Sequence, residues 1–329
     1  MPEIRLATFN VENLLMRLDF KALGIGDMRQ RLNEISTRDQ AEHISGLVDV
    51  LSEDDRTLTA QALAATRADV CAVQEVENLL TLTTFHNSYL SRWMRQPYPF
   101  HVLFEGNDRR GIDIGLLSRL DVTRKVSHAD ASFAKLGIAP PEGVHPNERV
   151  FRRDCLEVDV IKEGETLTLY ICHFKSMHGG RDESRKIRDG EARGVRALIE
   201  ARFKTPAKEN WVILGDLNDY LEIDGVSDNE HGLGALLSDG FASDMALLCE
   251  DEATNRWSHY FKKLDQYTAL DHILLSPRLA DLNRHSSIAY VRAGLPWRVT
   301  RHKGYRLSGV GWANPKASDH CPLAATIKF

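Results

Sequence analysis

The sequence lacks the features that announce several common classes of protein. Its five cysteines (Cys71, Cys155, Cys172, Cys249 and Cys321) are odd in number and nowhere spaced C-x-x-C, so neither a disulfide framework nor a zinc site is indicated. An H-E-x-x-H motif and a glycine-rich phosphate loop are both missing, which removes zincin and P-loop chemistry. No apolar run approaches the ~20 residues that span a bilayer. Met1–Asn10 has no basic stretch leading into an apolar one, so no secretory signal is read and the expected location is the cytoplasm. Repeats, low-complexity tracts and Ser/Gly-rich linkers are also missing, and a single domain over residues 1–329 is expected. The formal net charge of -5 argues against a dedicated nucleic-acid binder while leaving room for a local basic patch.

What is present is a core: 43% of the 329 residues are hydrophobic. Short apolar runs with strand character occur at Ile4–Phe9, Val70–Gln74, Phe100–Phe104, Ile112–Leu117, Cys155–Ile161, Leu167–His173, Trp211–Leu214, Leu270–Leu275, Ser287–Val291 and Leu323–Phe329. Helical spacing predicts helices at Thr37–Leu51, Leu58–Thr66, Leu79–Met94 and Glu183–Phe203. Turn formers gather around Leu18–Asn33, Pro140–Asn147 and Asp224–Glu230. Many strands with fewer helices between them give an α/β protein in which helices cover packed sheets.

Polar residues stand where these apolar strands stop. They are Asn10 in TFNVEN, Glu75 in VCAVQEVEN, His173 in LYICHFKS, Asp216 and Asn218 in WVILGDLND, Asp271 in ALDHILLS, and Asp319–His320 in ASDHCPL. Strand ends converging on one edge of a sheet are a common place for a site. A set of Glu, Asp, Asn and His supplies what an oxygen-ligated divalent ion and an acid/base pair require.

In this order and at these spacings, TFNVEN, QEVEN, GDLND, LDHILLS and SDHCPL resemble the signature motifs of the endonuclease/exonuclease/phosphatase superfamily. The resemblance runs from Thr8 to Leu323. It implies a DNase I-like α/β fold, a four-layer sandwich of two packed mixed β-sheets flanked by helices. It also implies a divalent-metal-dependent phosphodiesterase, with Mg²⁺ or Mn²⁺ as cofactor. Glu75 matches the acidic ligand of the metal, Asn10 an asparagine that organises metal and phosphate, and Asp319 an aspartate near the metal. Glu12 either adds a ligand or faces solvent. His320 matches the histidine that handles the attacking water, and Asp271 the aspartate that orients it. Asp216 and Asn218 match a pair positioning nucleophile and phosphate oxygens, with Asp216 an alternative base. His173 matches the second histidine of the DNase I and sphingomyelinase branches, a donor to a phosphate oxygen or to the leaving group.

The charge pattern bears on substrate. From Leu282 to Ser318 there is no Asp or Glu, while Arg298, Arg301 and Lys303 are interleaved with Trp297 and Tyr305. That mixture predicts a wall that tracks phosphates and stacks bases. Lys175, beside His173, joins it as a candidate substrate contact. On Glu183–Phe203 acids and bases sit at i, i+3 or i+4 spacing and predict a salt-bridged face, with Arg185 and Arg188 as exceptions that could reach a phosphate. Asp113, inside an apparent strand, reads as a structural partner of a neighbouring arginine more readily than as part of a site. The expected activity is a nuclease acting on DNA or RNA, as a monomer without an obligate protein partner. The alternatives are hydrolysis of a small or lipid-derived phosphoester, and a non-catalytic phosphate-binding module.

Overall fold

The computed structural model describes residues 1–15, 53–249 and 252–329. The helix expected at Thr37–Leu51 and the turn-rich stretch Leu18–Asn33 lie outside the described residues. In chain order the strands are β1 Glu3–Leu14, β2 Val70–Val76, β3 Phe100–Leu103, β4 Asp113–Ser118, β5 Asp121–Ser127, β6 Cys155–Lys162, β7 Glu165–His173 and β8 Trp211–Asp216. They continue with β9 Glu222–Ile223, β10 Val226–Ser227, β11 Ser243–Asp244, β12 His259–Phe261, β13 Gln266–Thr268, β14 Asp271–Leu275, β15 Ile288–Tyr290 and β16 Leu323–Lys328. Among the described residues, the helices longer than two turns are α1 Glu53–Ala65, α2 Leu79–Ser88 and α3 Arg181–Arg202.

Two six-stranded sheets carry the architecture, ordered β15-β16-β1-β2-β4-β3 and β11-β14-β8-β7-β6-β5. Both are mixed: β1 runs parallel to β2 and β7 to β8, while the other pairings are antiparallel. Alternation along the strands explains the layers. Ile4, Leu6, Val70 and Ala72 face Val158, Leu169, Val212 and Ile273 between the sheets. Ala7, Phe9, Cys71 and Val73 point the other way, onto Leu58, Leu63, Leu82 and Phe85 of α1 and α2. Tyr170, Cys172, Trp211 and Ile213 do the same toward Val195 and Ile199 of α3. Strands covered on both faces are apolar on both faces, hence their unbroken hydrophobic runs. The result is the four-layer sandwich.

Differences from the sequence reading have local causes. β5 is an edge strand with polar, half-exposed residues and offers no apolar run to detect. The helix expected over Leu79–Met94 stops at Ser88 and continues as a 3₁₀ turn, Leu90–Trp93. A short sheet, β10-β9-β13-β12, joins pieces of two or three residues. All five cysteines are buried and free.

Candidate functional site

Strand register assembles one side of the site. His173 ends β7 opposite Asp216, which ends β8, and Asp216 pairs in turn with Asp271 at the start of β14. Three polar residues from three parts of the chain therefore lie in one row across three adjacent strands. Gly215 makes the row possible. Its φ is +146°, and a Cβ there would stand 1.9 Å from the Cys172 carbonyl oxygen, so the strand pairs closely only with glycine before Asp216.

The other sheet contributes Asn10, paired with Gln74 just before Glu75. Glu12, Glu75 and Asn218 all adopt positive φ (50°, 67° and 51°), a conformation that costs energy in non-glycine residues and clusters at functional sites. The amide of Asn10 spans the sheets, with its Nδ2 donating to Asp216 Oδ2 at 2.9 Å and to Glu75 Oε1 at 3.4 Å. Its Oδ1 accepts from the Glu12 backbone N–H at 3.0 Å, and Glu75 Oε2 accepts from Asn13 N at 3.0 Å. In this arrangement Asn10 organises two carboxylates and turns its oxygen away from them.

His320 reaches across from the loop before β16. Its Nδ1 lies 2.7 Å from Asp271 Oδ2 and its Nε2 3.9 Å from Asp216 Oδ2. Burial opposes a charge on His320, but Asp271 and Asp216 outweigh it and hold the ring well above its ordinary pKa. Asp216 is pushed up to about 7, chiefly by burial, with His320 opposing and Asp271 adding to the rise. His173 is driven the other way, well below the usual range, by burial and by Arg153, His320 and Arg110. The ring is neutral at neutral pH, with Nε2 3.6 Å from Asp216 and 4.0 Å from Glu75, and its buried Nδ1 has no partner among the described residues.

Glu12 forms an ion pair with Lys316 at 2.6 Å; burial and then Asp319 raise its pKa. Asp319 is held below the usual carboxylate range, with His320, His259 and Lys316 overcoming its burial.

The donor set fits a divalent cation. Ligand atoms of Asp216, Asp271 and His320 lie within 4.8 Å of one another, and Asp271 Oδ1 is buried without a hydrogen-bond partner. Buried carboxylates this close demand compensating positive charge. Because His320 Nδ1 is already engaged by Asp271, this trio reads as an acid/base unit that also borders a cation. Glu75 is the half-buried carboxylate beside it.

The acid-free segment is less open than its composition suggests. Arg301 pairs with Asp224 at 2.5 Å and lies over the Tyr267 ring, and buried Arg306 donates to the carbonyls of Leu295 and Val299. Arg298 and Lys303 make no ion pair among the described residues, and Trp297 and Tyr305 are 51% and 74% exposed. Arg188 is fully buried on Asp219 at 2.8 Å, and Arg185 pairs with Glu230, so neither is the free phosphate ligand that its position in sequence allowed. The expected α3 ladder is present in Arg193–Asp189 and Arg196–Glu200. Asp113 accepts from the Gly106 N–H at 2.8 Å instead of pairing with an arginine.

Two features had no signal in the sequence. The His259 ring lies 4.8 Å from that of His320, and its strand bridges to it. Burial, then His320, lowers its pKa to about 4. The second is a group of arginines around Arg153, which donates to the Phe174 carbonyl at 2.9 Å.

The profile of the Endonuclease/Exonuclease/phosphatase family matches residues 6–293. No curated protein matches the sequence. A solved endonuclease/exonuclease/phosphatase family protein from Leptotrichia buccalis superposes with a TM-score of 0.58 at 12% identity, covering 99% of this chain and 100% of that one. Truncated Caenorhabditis elegans TDP2 gives 0.56 at 13%, covering 99% and 98%. A mannosyl-6-phosphatase of Bacteroides thetaiotaomicron gives 0.57 at 14%, covering 99% and 100%. At such identities these likenesses speak to the fold. No helix among the described residues is long and apolar enough to cross a membrane.

Proposed function

Because this chain belongs to the Endonuclease/Exonuclease/phosphatase family, we propose that it is a divalent-metal-dependent phosphodiesterase, a nuclease that hydrolyses DNA or RNA. The observation that carries this reading is the row His173–Asp216–Asp271 with His320 bonded to Asp271, bordered by Glu75.

Glu75 is the principal candidate to hold Mg²⁺ or Mn²⁺, with Asp319 and Glu12 nearby and Asn10 fixing the cluster. When bound, the cation supplies charge neutralisation at a phosphoryl oxygen and at the leaving alkoxide. Asp271 fixes the His320 tautomer and orientation, so that Nε2 is the proton-exchanging atom. Without added positive charge His320 retains its proton, and Asp216, poised near neutrality, is the alternative acceptor for the proton of the attacking water. His173 stays neutral and donates a hydrogen bond to a phosphate oxygen. Asn218, whose amide is tied to the Phe174 carbonyl at 3.1 Å, holds the loop that presents Asp216. Lys175, Arg298, Lys303 and Arg301, with Trp297 and Tyr305, are the proposed substrate contacts.

The test is a metal-dependent panel with plasmid, single-stranded DNA, RNA, bis-p-nitrophenyl phosphate and inositol or sugar phosphates. Cleavage of diesters that stops in EDTA and returns with Mn²⁺ or Mg²⁺ is expected. Turnover confined to sugar or inositol phosphates would move the assignment to a small-molecule phosphatase, a reading that the net charge of -5 keeps open. No turnover with any metal would leave a phosphate-binding module.

A further inference from the structure

A cationic hollow lies away from the acid-free segment, in a cavity of about 790 Å³ beside His173. Arg109, Arg110, Arg149, Arg152, Arg153 and Lys175 line it, against the carboxylates of Asp108 and Glu148. The charge is cancelled only in part, and Arg149 pairs with Asp130 at 2.5 Å. Asp108 serves two guanidiniums at once, Arg153 at 2.8 Å and Arg110 at 3.1 Å, while Arg109 and Arg152 make no ion pair among the described residues.

The cavity is joined to the proposed catalytic end by bonds. The Phe174 carbonyl, one residue after His173, accepts from both Arg153 Nη1 (2.9 Å) and Asn218 Nδ2 (3.1 Å). Fully buried Glu191 accepts from the backbone N–H groups of Arg152 (2.9 Å) and Lys175 (2.7 Å), fixing the two walls to one helix position. Six cationic side chains line it around one buried aromatic, Phe151. A second hollow of about 520 Å³, with Lys135 and Asn147, shares the Arg149 wall and extends the path.

We propose that this cavity seats the phosphate neighbouring the scissile one in a nucleic-acid strand, and that the strand continues past Arg149. Contacts of this kind fix register and carry no base information, so cleavage should be tolerant of sequence. The proposal rests on the phosphodiesterase reading, and the two fail differently.

The test compares wild type with R109Q/R152Q, two side chains outside the buried core, with melting curves to verify folding. In EDTA, inorganic pyrophosphate is titrated by calorimetry, and at least tenfold weaker binding by the variant is expected. With Mn²⁺, KM is measured for 5′-phosphorylated dithymidylate, whose terminal phosphate adjoins its diester, and for bis-p-nitrophenyl phosphate. The ratio of the first KM to the second should rise at least tenfold in the variant. Equal pyrophosphate binding by both proteins, or an unmoved ratio, overturns the proposal. So does a sugar bisphosphate that is hydrolysed with the same sensitivity, because the second phosphate would then belong to a small molecule. If wild type cleaves no diester, the phosphodiesterase reading falls and the strand with it, while the pyrophosphate titration still decides whether the cavity binds phosphate.

Discussion

The two sheets bring unlike halves to the site. From the first come buried Asn10 and half-buried Glu12 and Glu75, tied by backbone N–H groups and Lys316. From the second come His173, Asp216 and Asp271, all at most 2% exposed and packed against one another. Carboxylates that touch solvent can receive a cation. Groups removed from water compete for protons, which is why Asp216 is pushed up to about 7 and His173 down. The contrast suggests a division of labour, with charge held by one sheet and protons by the other.

The sharpest way to break that division is Glu75→Gln. Losing several kcal/mol of metal-dependent stabilisation should cost about 10⁴-fold in kcat/KM and weaken Mn²⁺ binding, with the fold intact. Wild-type rates for that variant, or for the native protein in excess EDTA, would end the metal assignment. On the proton side, His320→Ala and Asp271→Asn should each cost about 10³-fold, within the range of general acid–base catalysis. The double variant should lose little more than either single one, since partners in one unit are not additive. Additive losses in single-turnover assays would separate the two residues. His173→Ala is expected to cost about 10²-fold without changing the Mn²⁺ titration; an altered metal affinity would move His173 to the charge-holding half.

A smaller effect reads the second sheet's burial through stability. His272 lies 2.6 Å from Asp244; burial opposes its charge, Asp244 overcomes this, and the pKa rises to about 9. A histidine whose folded pKa exceeds its unfolded value near 6.5 stabilises fully below that value and loses the contribution as pH passes about 9. Asp244→Asn should therefore lower Tm by several degrees at pH 6, and the gap should close by pH 10. A gap independent of pH would mean that only packing was disturbed.

The smallest change is expected from R298Q/R301Q/K303Q in the acid-free segment, beside the short sheet. With Arg301 already occupied by Asp224, KM for polymeric DNA should rise only a few-fold, and the salt slope should flatten by roughly 0.7–0.9 for each phosphate no longer neutralised. Trp297→Ala should weaken single strands by about 1–3 kcal/mol if a base stacks there. No change in slope or affinity would return the segment to an ordinary surface loop.

Much of this was legible in the sequence. Unbroken apolar runs at Val70, Trp211 and Leu270 mark strands covered on both faces, and the polar residues ending them mark one edge of the sheets, because strand period and burial are local consequences of side-chain type. Spacing likewise foretold the α3 salt-bridge ladder. β5 escaped because an edge strand needs no apolar pattern. The cavity around Arg153 escaped because its cations come from the stretches 109–110 and 149–153 and from Lys175, which only packing brings together. The acid-free segment shows the converse: a count of charges along the chain cannot tell that Arg301 faces Asp224 or that Arg306 is buried against carbonyl groups. Residue chemistry, readable along the chain, set which side chains could carry charge, ligate a cation or exchange a proton. Folding set which of them are dry, which are paired and which face one another, because desolvation and Coulomb attraction depend on burial and distance among residues far apart in sequence.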